Sequence, residues 1–127
     1  MIKLFYSILG YGYKEEKMNI NIVRAETKTL AYSVVLQGGK GEEVDLSAIT
    51  AKIMIKKNLK DADSKAILVK EHVHPESTIL YYELTAQETG AMAPGRYFID
   101  FKLFYDSGAE VVLRQDVIII TEGVFNG

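Results

Sequence analysis

The sequence predicts an all-β domain, an immunoglobulin-like β-sandwich of about seven strands carrying an N-terminal arm. Three observations predict it: seven runs with a two-residue apolar period, polar or Gly/Pro-containing breaks between them, and almost no stretch with a helical period. A small closed barrel is the competing architecture, because the same pattern serves both.

Residues 1–17 read as the arm and residues 18–127 as the sandwich. In the arm Ile2, Leu4, Tyr6 and Ile8 alternate with Lys3, Phe5, Ser7 and Leu9, and Tyr11 and Tyr13 follow beside Gly10 and Gly12. The apolar run at 4–9 is broken by Ser7. It is shorter than the roughly 7 to 15 residues of a signal-peptide core and far below the roughly 20 of a membrane span. Ile2, Leu4, Phe5, Tyr6, Ile8, Tyr11 and Tyr13 therefore form a candidate interaction arm, able to add as a strand to a neighbouring molecule. The alternative is a strand added to the domain's own sheet. On the first reading, deleting residues 1–17 leaves the thermal midpoint nearly unchanged.

From Met18 the strands follow in order. NINIVRA opens the domain, and TLAYSVVLQ puts Leu30, Tyr32, Val34 and Leu36 on one face. The glycine-rich stretch at 38–43 is a loop. AKIMIKK alternates Ala51, Ile53 and Ile55 with Lys52, Met54 and Lys56, and NLKDADSK is a polar turn. AILVKEHV and TILYYEL are two further strands, divided at His74-Pro75-Glu76-Ser77, since proline cannot donate to a ladder. TAQETG fits one helical turn. RYFIDFKLFY sets Tyr97, Ile99, Phe101, Leu103 and Tyr105 inward, turns at Asp106-Ser107-Gly108 and returns as AEVVLRQDVIIIT.

Composition narrows the function. The chain has 127 residues, 48% hydrophobic and 25% charged, which suits one soluble domain. A net charge of -2 supplies no basic face for nucleic acid, and no run is long enough for a membrane helix. With no cysteine there is no disulfide framework and no thiolate chemistry.

Candidate chemistry is sparse. His72 and His74 at i, i+2 share a strand face as a metal pair could, but two ligands are too few and the plainer reading is a pair of exposed strand-end histidines. Asp61 and Asp63 begin like a calcium loop, but Lys65 stands where the next ligand belongs, leaving a solvated turn. GGKG lacks the spacing of a phosphate loop. Asp100 and Asp116 lie in apolar strands without a nearby histidine and read as solvent-facing or edge charges. The expectation is a domain without catalytic residues, cofactor or metal.

The arrangement MNINIVRAETKTLAYSVVLQGGKGEEVDLSAITAKIMIKKNLKDADSKAIL followed by YYELTAQETGAMAPGRYFIDFKLFYDSGAEVVL resembles the Ig-like domain at the N-terminus of bacteriophage upper baseplate proteins and related tail proteins. It runs from Met18 to about Thr121. Within it Leu46 and Ile49 would seal the start of a strand, Pro94 and Gly95 would shape a turn, and Tyr97 stands where a tyrosine corner would pin it. The resemblance implies a virion structural protein of the baseplate, tail, fibre or head surface. Such a protein assembles in the host cytoplasm, docks on other virion proteins and forms homo-oligomers. Upper baseplate proteins continue into a stalk or receptor-binding part, whereas this sequence stops at Gly127 behind an aromatic arm, which favours docking over receptor binding. A cell-surface or secreted Ig-like module binding carbohydrate or protein is the alternative function.

Overall fold

Every run with a two-residue period becomes a strand. The computed structural model describes residues 3–8, 12–13, 18–37 and 46–123, with backbone alone for 3–8, 12–13 and 35–37. In chain order the elements are β1 (Lys3–Ile8), β2 (Gly12–Tyr13), β3 (Asn19–Val23), β4 (Lys28–Gln37), β5 (Ile49–Lys56), β6 (Leu68–Val73), β7 (Ile79–Leu84), α1 (Ala86–Gly90), β8 (Gly95–Tyr105) and β9 (Glu110–Thr121). The glycine-rich loop expected at 38–43 lies outside the described residues.

Two sheets form, a four-stranded one ordered β2-β1-β4-β7 and a five-stranded one ordered β3-β9-β8-β5-β6. Both have open edges, so the architecture is a sandwich and not a closed barrel. The seven strands from β3 onward are those expected. The two added strands come from the arm.

That arm adds to its own chain. β1 runs antiparallel to β4, pairing Leu4 with Leu36, Phe5 with Val35, Tyr6 with Val34 and Ile8 with Tyr32, while Tyr13 of β2 pairs with Ser7. The backbone pairing is thus the alternative held beside the intermolecular one. Its physical reason is that β4 would otherwise end its sheet with an unpaired row of peptide groups, and a strand on the same chain reaches that edge at no cost in association entropy. Ile2 and Tyr11 lie outside the described residues.

The core is built where the inner faces meet. Leu30, Tyr32 and Val34 of β4 and Leu80, Tyr82 and Leu84 of β7 oppose Ile53 and Ile55 of β5, Ile99, Phe101 and Leu103 of β8 and Ile118 and Ile120 of β9, all buried. The phase read for β8 holds. Phe101 stacks on Tyr32 with ring centroids 4.4 Å apart, and Tyr82 meets both rings edge-on at about 6 Å, so three aromatics tie the two sheets together. The Tyr82 hydroxyl donates to Ala51 O at 2.8 Å. Burial, and then the charge of Asp116, drive the Tyr32 hydroxyl far above the ordinary tyrosine range.

One irregularity sets the inward face of β9. The register with β8 shifts between Phe101 and Lys102, so that Lys102 opposes Val112 but Phe101 opposes Arg114. Beyond that bulge Arg114, Asp116, Ile118 and Ile120 face inward. The reading of Asp100 and Asp116 as solvent-facing or edge charges is therefore corrected. β8 and β9 are interior strands, and the two residues are 2% and 1% exposed. Asp116 accepts hydrogen bonds from Arg114 Nε and, at 2.8 Å, from Met18 N, which fixes where β3 begins its parallel pairing with β9.

Turns and caps follow their residues. Gly108 takes φ 100° and its N–H donates to Tyr105 O at 2.8 Å, closing the β8–β9 hairpin. α1 starts on a capping box, Glu88 N donating to Thr85 Oγ1 at 3.1 Å and Thr85 N to Glu88 Oε1 at 2.9 Å. Tyr97 donates its hydroxyl to Ala93 O at 2.7 Å across Pro94 and Gly95, the corner expected of it.

Two stability measurements follow. Phe101→Ala, removing a ring 1% exposed, should cost about 3 to 5 kcal/mol in urea unfolding; a loss under about 1 kcal/mol would contradict its place between the sheets. Deleting residues 1–17 should lower the thermal midpoint by about 5 °C or more, since roughly 1 kcal/mol moves a domain of this size that far. An unchanged midpoint would return the arm to the intermolecular role.

Candidate docking surface

β6 and β7 end their respective sheets on the same flank of the sandwich. Along β6 exposure alternates, with Val69, Glu71 and Val73 outward and Leu68, Lys70 and His72 toward the seam between the sheets. Outward residues on a half-buried strand are ordinarily polar, yet here valines occupy that side and a lysine and a histidine the other. β7 buries Leu80, Tyr82 and Leu84 and presents Ile79, Tyr81 and Glu83. Val73 is 59% exposed and Tyr81 52%, with Ile67, Val69 and Ile79 comparably open. The two apolar rows lie on opposite outer faces of the sandwich, each at the edge of its sheet.

The polar residues of the seam close it. His72 Nε2 lies 2.6 Å from Tyr81 O, so that nitrogen carries the proton and donates, and its ring packs edge-on against Tyr82 at 4.8 Å. Lys70 reaches Glu88 at 2.8 Å. That ammonium, followed by the Thr85 N–H, holds the Glu88 carboxyl below its ordinary range. On the outer face of the five-stranded sheet, Lys52 lies over the Phe104 ring at 4.8 Å and pairs with Glu71 at 3.5 Å. At the α1 end the flank opens into a cleft of about 500 Å³ floored by Leu68, Met92 and Tyr97 and rimmed by Ile67, Lys57 and Glu88.

The residues singled out from the sequence for metal chemistry are not brought together. His74 lies past the end of β6 at φ 45°, its Nε2 2.9 Å from Asp106 Oδ2, so it does not share a face with His72. His72 is half-buried in the seam, a correction to the reading of both as exposed strand-end residues. Among the described residues no three histidine or acidic side chains converge as a metal site. Asp61 accepts from Asn58 N within its turn at 3.0 Å, but Asp63 is not merely solvated, because both its oxygens meet lysine ammoniums. Of the candidate arm, Leu4, Phe5, Tyr6 and Ile8 are aligned along β4, away from the β6/β7 flank. The flank escaped sequence reading because AILVKEHV and TILYYEL carry apolar residues at both parities; the Val-Glu-Val alternation at 69, 71 and 73 was its one signal.

No family model matches the sequence, and no curated protein matches it. Among solved structures the chain is similar to the fibronectin(III)-like modules of Clostridium thermocellum CbhA, at 14% identity over 98% of this chain and 100% of that one, with a TM-score of 0.50. The fold is fibronectin(III)-like. The likeness concerns the fold alone. In that fibronectin(III)-like frame β6 lies at the edge of the five-stranded sheet, leaving its outward valines uncovered by any described element.

Proposed function

We propose that the chain is a non-enzymatic structural protein of a bacteriophage virion, working by protein–protein docking through the β6/β7 flank. The observation that carries the docking is the pair of outward apolar rows, Val69 and Val73 on β6 and Ile79 and Tyr81 on β7, since apolar residues on edge strands invite a protein neighbour. The virion setting rests on the resemblance of residues 18–121 to upper baseplate and tail domains. The non-catalytic reading is supported by the buried ionisable groups: Lys56, Asp100, Lys102, Arg114 and Asp116 are all engaged in ion pairs or hydrogen bonds inside the sheet framework. Partners on this reading are other virion proteins and further copies of the chain. A cell-surface or secreted module binding carbohydrate or protein is the alternative. It draws on Tyr81, the one exposed aromatic ring among the described residues.

Particles purified from a producing host should contain the chain by mass spectrometry. The Val73→Glu/Tyr81→Glu variant should fold with a midpoint within a few degrees of the parent, as exposed substitutions do, yet be lost from particles at least tenfold. Absence of the parent chain from particles sinks the virion reading. Equal incorporation of the variant sinks the flank as the docking surface.

A further inference from the structure

The connection between β5 and β6, residues 57–67, lies over the outer face of the five-stranded sheet. Its own residues bury little: Leu59, Ala66 and Asp63 are half-exposed and Ile67 is open to solvent. It holds its shape through short turns, with Asp61 N donating to Asn58 O, Lys65 N to Ala62 O and Ala66 N to Asp63 O. Beneath it lie residues that a sheet's outer face would normally expose. Met54, Lys56, Asp100 and Lys102 are all buried.

One side chain fastens the cover. Asp63 Oδ1 accepts from Lys56 Nζ and from Lys102 Nζ, each at 2.8 Å, and its Oδ2 accepts from Lys102 Nζ at 3.0 Å. Below, Asp100 Oδ2 accepts from Lys56 Nζ at 2.9 Å and Asp100 Oδ1 from Gln115 Nε2 at 2.9 Å. The charged groups facing Asp63 are thus Lys56 from β5 and Lys102 and Asp100 from β8, with neutral Gln115 from β9. Two cations and two anions balance. Without the Asp63 charge the sheet keeps its Lys56–Asp100–Gln115 chain. The connection then keeps, of the side-chain ties described, those of its first residue, Lys57, to Arg96 O at 3.4 Å and to the Tyr97 ring at 4.4 Å.

The geometry points to residues 57–67 as a displaceable strap, latched by the Asp63 carboxylate, whose opening uncovers Met54 and the Lys56–Lys102 row without unfolding the sandwich. Met54 is in register with Val69 of β6, so an open strap would extend the apolar outer face toward the flank. The latch itself does not depend on what docks there.

The sign of its pH dependence follows from the clamp. Hydrogen bonds from Lys102 and then Lys56 hold the Asp63 carboxyl below its ordinary range, and Lys56, although burial opposes its charge, keeps it more firmly than usual through Asp63 and Asp100. The tie is therefore complete above the unfolded carboxylate value of about 4 and is lost as pH falls through the lower folded value. The strap stays shut at neutral pH and opens in strong acid.

Amide hydrogen exchange at neutral pH tests the latch. Asp63→Asn should speed exchange at 61–66 at least tenfold, with β8, β9 and the Ile67 amide on Ile55 O unchanged, and should open Lys60 and Lys65 to trypsin while the nicked fragments stay associated. Lys102→Met, which leaves the Lys56–Asp100 pair intact, should give the same local effect to a smaller degree. Unchanged exchange in the strap of both variants would overturn the proposal. So would loss of protection in β5, β8 and β9 in step with the strap, which would make Asp63 a support of the whole fold.

Discussion

Asp116 carries its charge into the space between two sheets, and most of the architecture can be traced from how that charge is satisfied. It faces inward only because the bulge opposite Phe101 and Lys102 advances β9 by one residue. The same advance sends Ile118 and Ile120 into the core, in register with Ile20 and Ile22 of β3. A buried carboxylate needs partners within the low-dielectric interior, and Arg114 and the Met18 N–H supply them. Such a pair adds little net stability over apolar residues of the same volume, but stripping one member leaves an uncompensated charge worth about 3 to 5 kcal/mol of destabilisation. Its contribution is to specify. Of the registers open to a short strand such as β3, the one observed places the Met18 amide on Asp116.

The alternating strands were legible in the sequence because their physics is local. A two-residue period on Ala51-Ile53-Ile55 or Tyr97-Ile99-Phe101-Leu103 needs no knowledge of the partner strand, and the turn chemistry at Asp106-Ser107-Gly108 needs only the chain itself. The tyrosine corner was also legible, since Tyr97 and the Pro94-Gly95 turn lie within four residues of its acceptor. Buried charges were not. An aspartate inside an apolar run reads as an edge residue unless the bulge that rotates it and the cation that meets it are known, and both depend on contacts made only in the folded sheet. Asp63 is the same case at longer range: its partner Lys102 is 39 positions away.

The candidate arm shows what alternation leaves open. Its alternation signalled a strand correctly, but alternation cannot say whose sheet the strand will join. That choice depends on which edge is open, and β4 presents one within reach of the same chain. The flank presents the converse problem. Its valines lie in strands whose two faces are both apolar in sequence, so neither face could be assigned to solvent until the sheet order placed β6 and β7 at their edges.

The inverted pattern of β6 bears on how the flank would work. Lys70 and His72 face the seam, where they meet peptide and carboxylate acceptors, Tyr81 O and Glu88, that an apolar side chain could not satisfy. The polar side of the strand thus has a structural use. Val69 and Val73 have none of that kind: they are 44% and 59% exposed, and a lysine or threonine at either position would blunt the sheet edge against unwanted pairing. Fold stability therefore does not account for these valines. Burial by a neighbour would, at roughly 1.5 to 3 kcal/mol for each fully covered side chain. Because the His72–Tyr81 bond already occupies one outward carbonyl of β7, a partner would gain more from the side chains on the outer faces than from extending either sheet by backbone pairing.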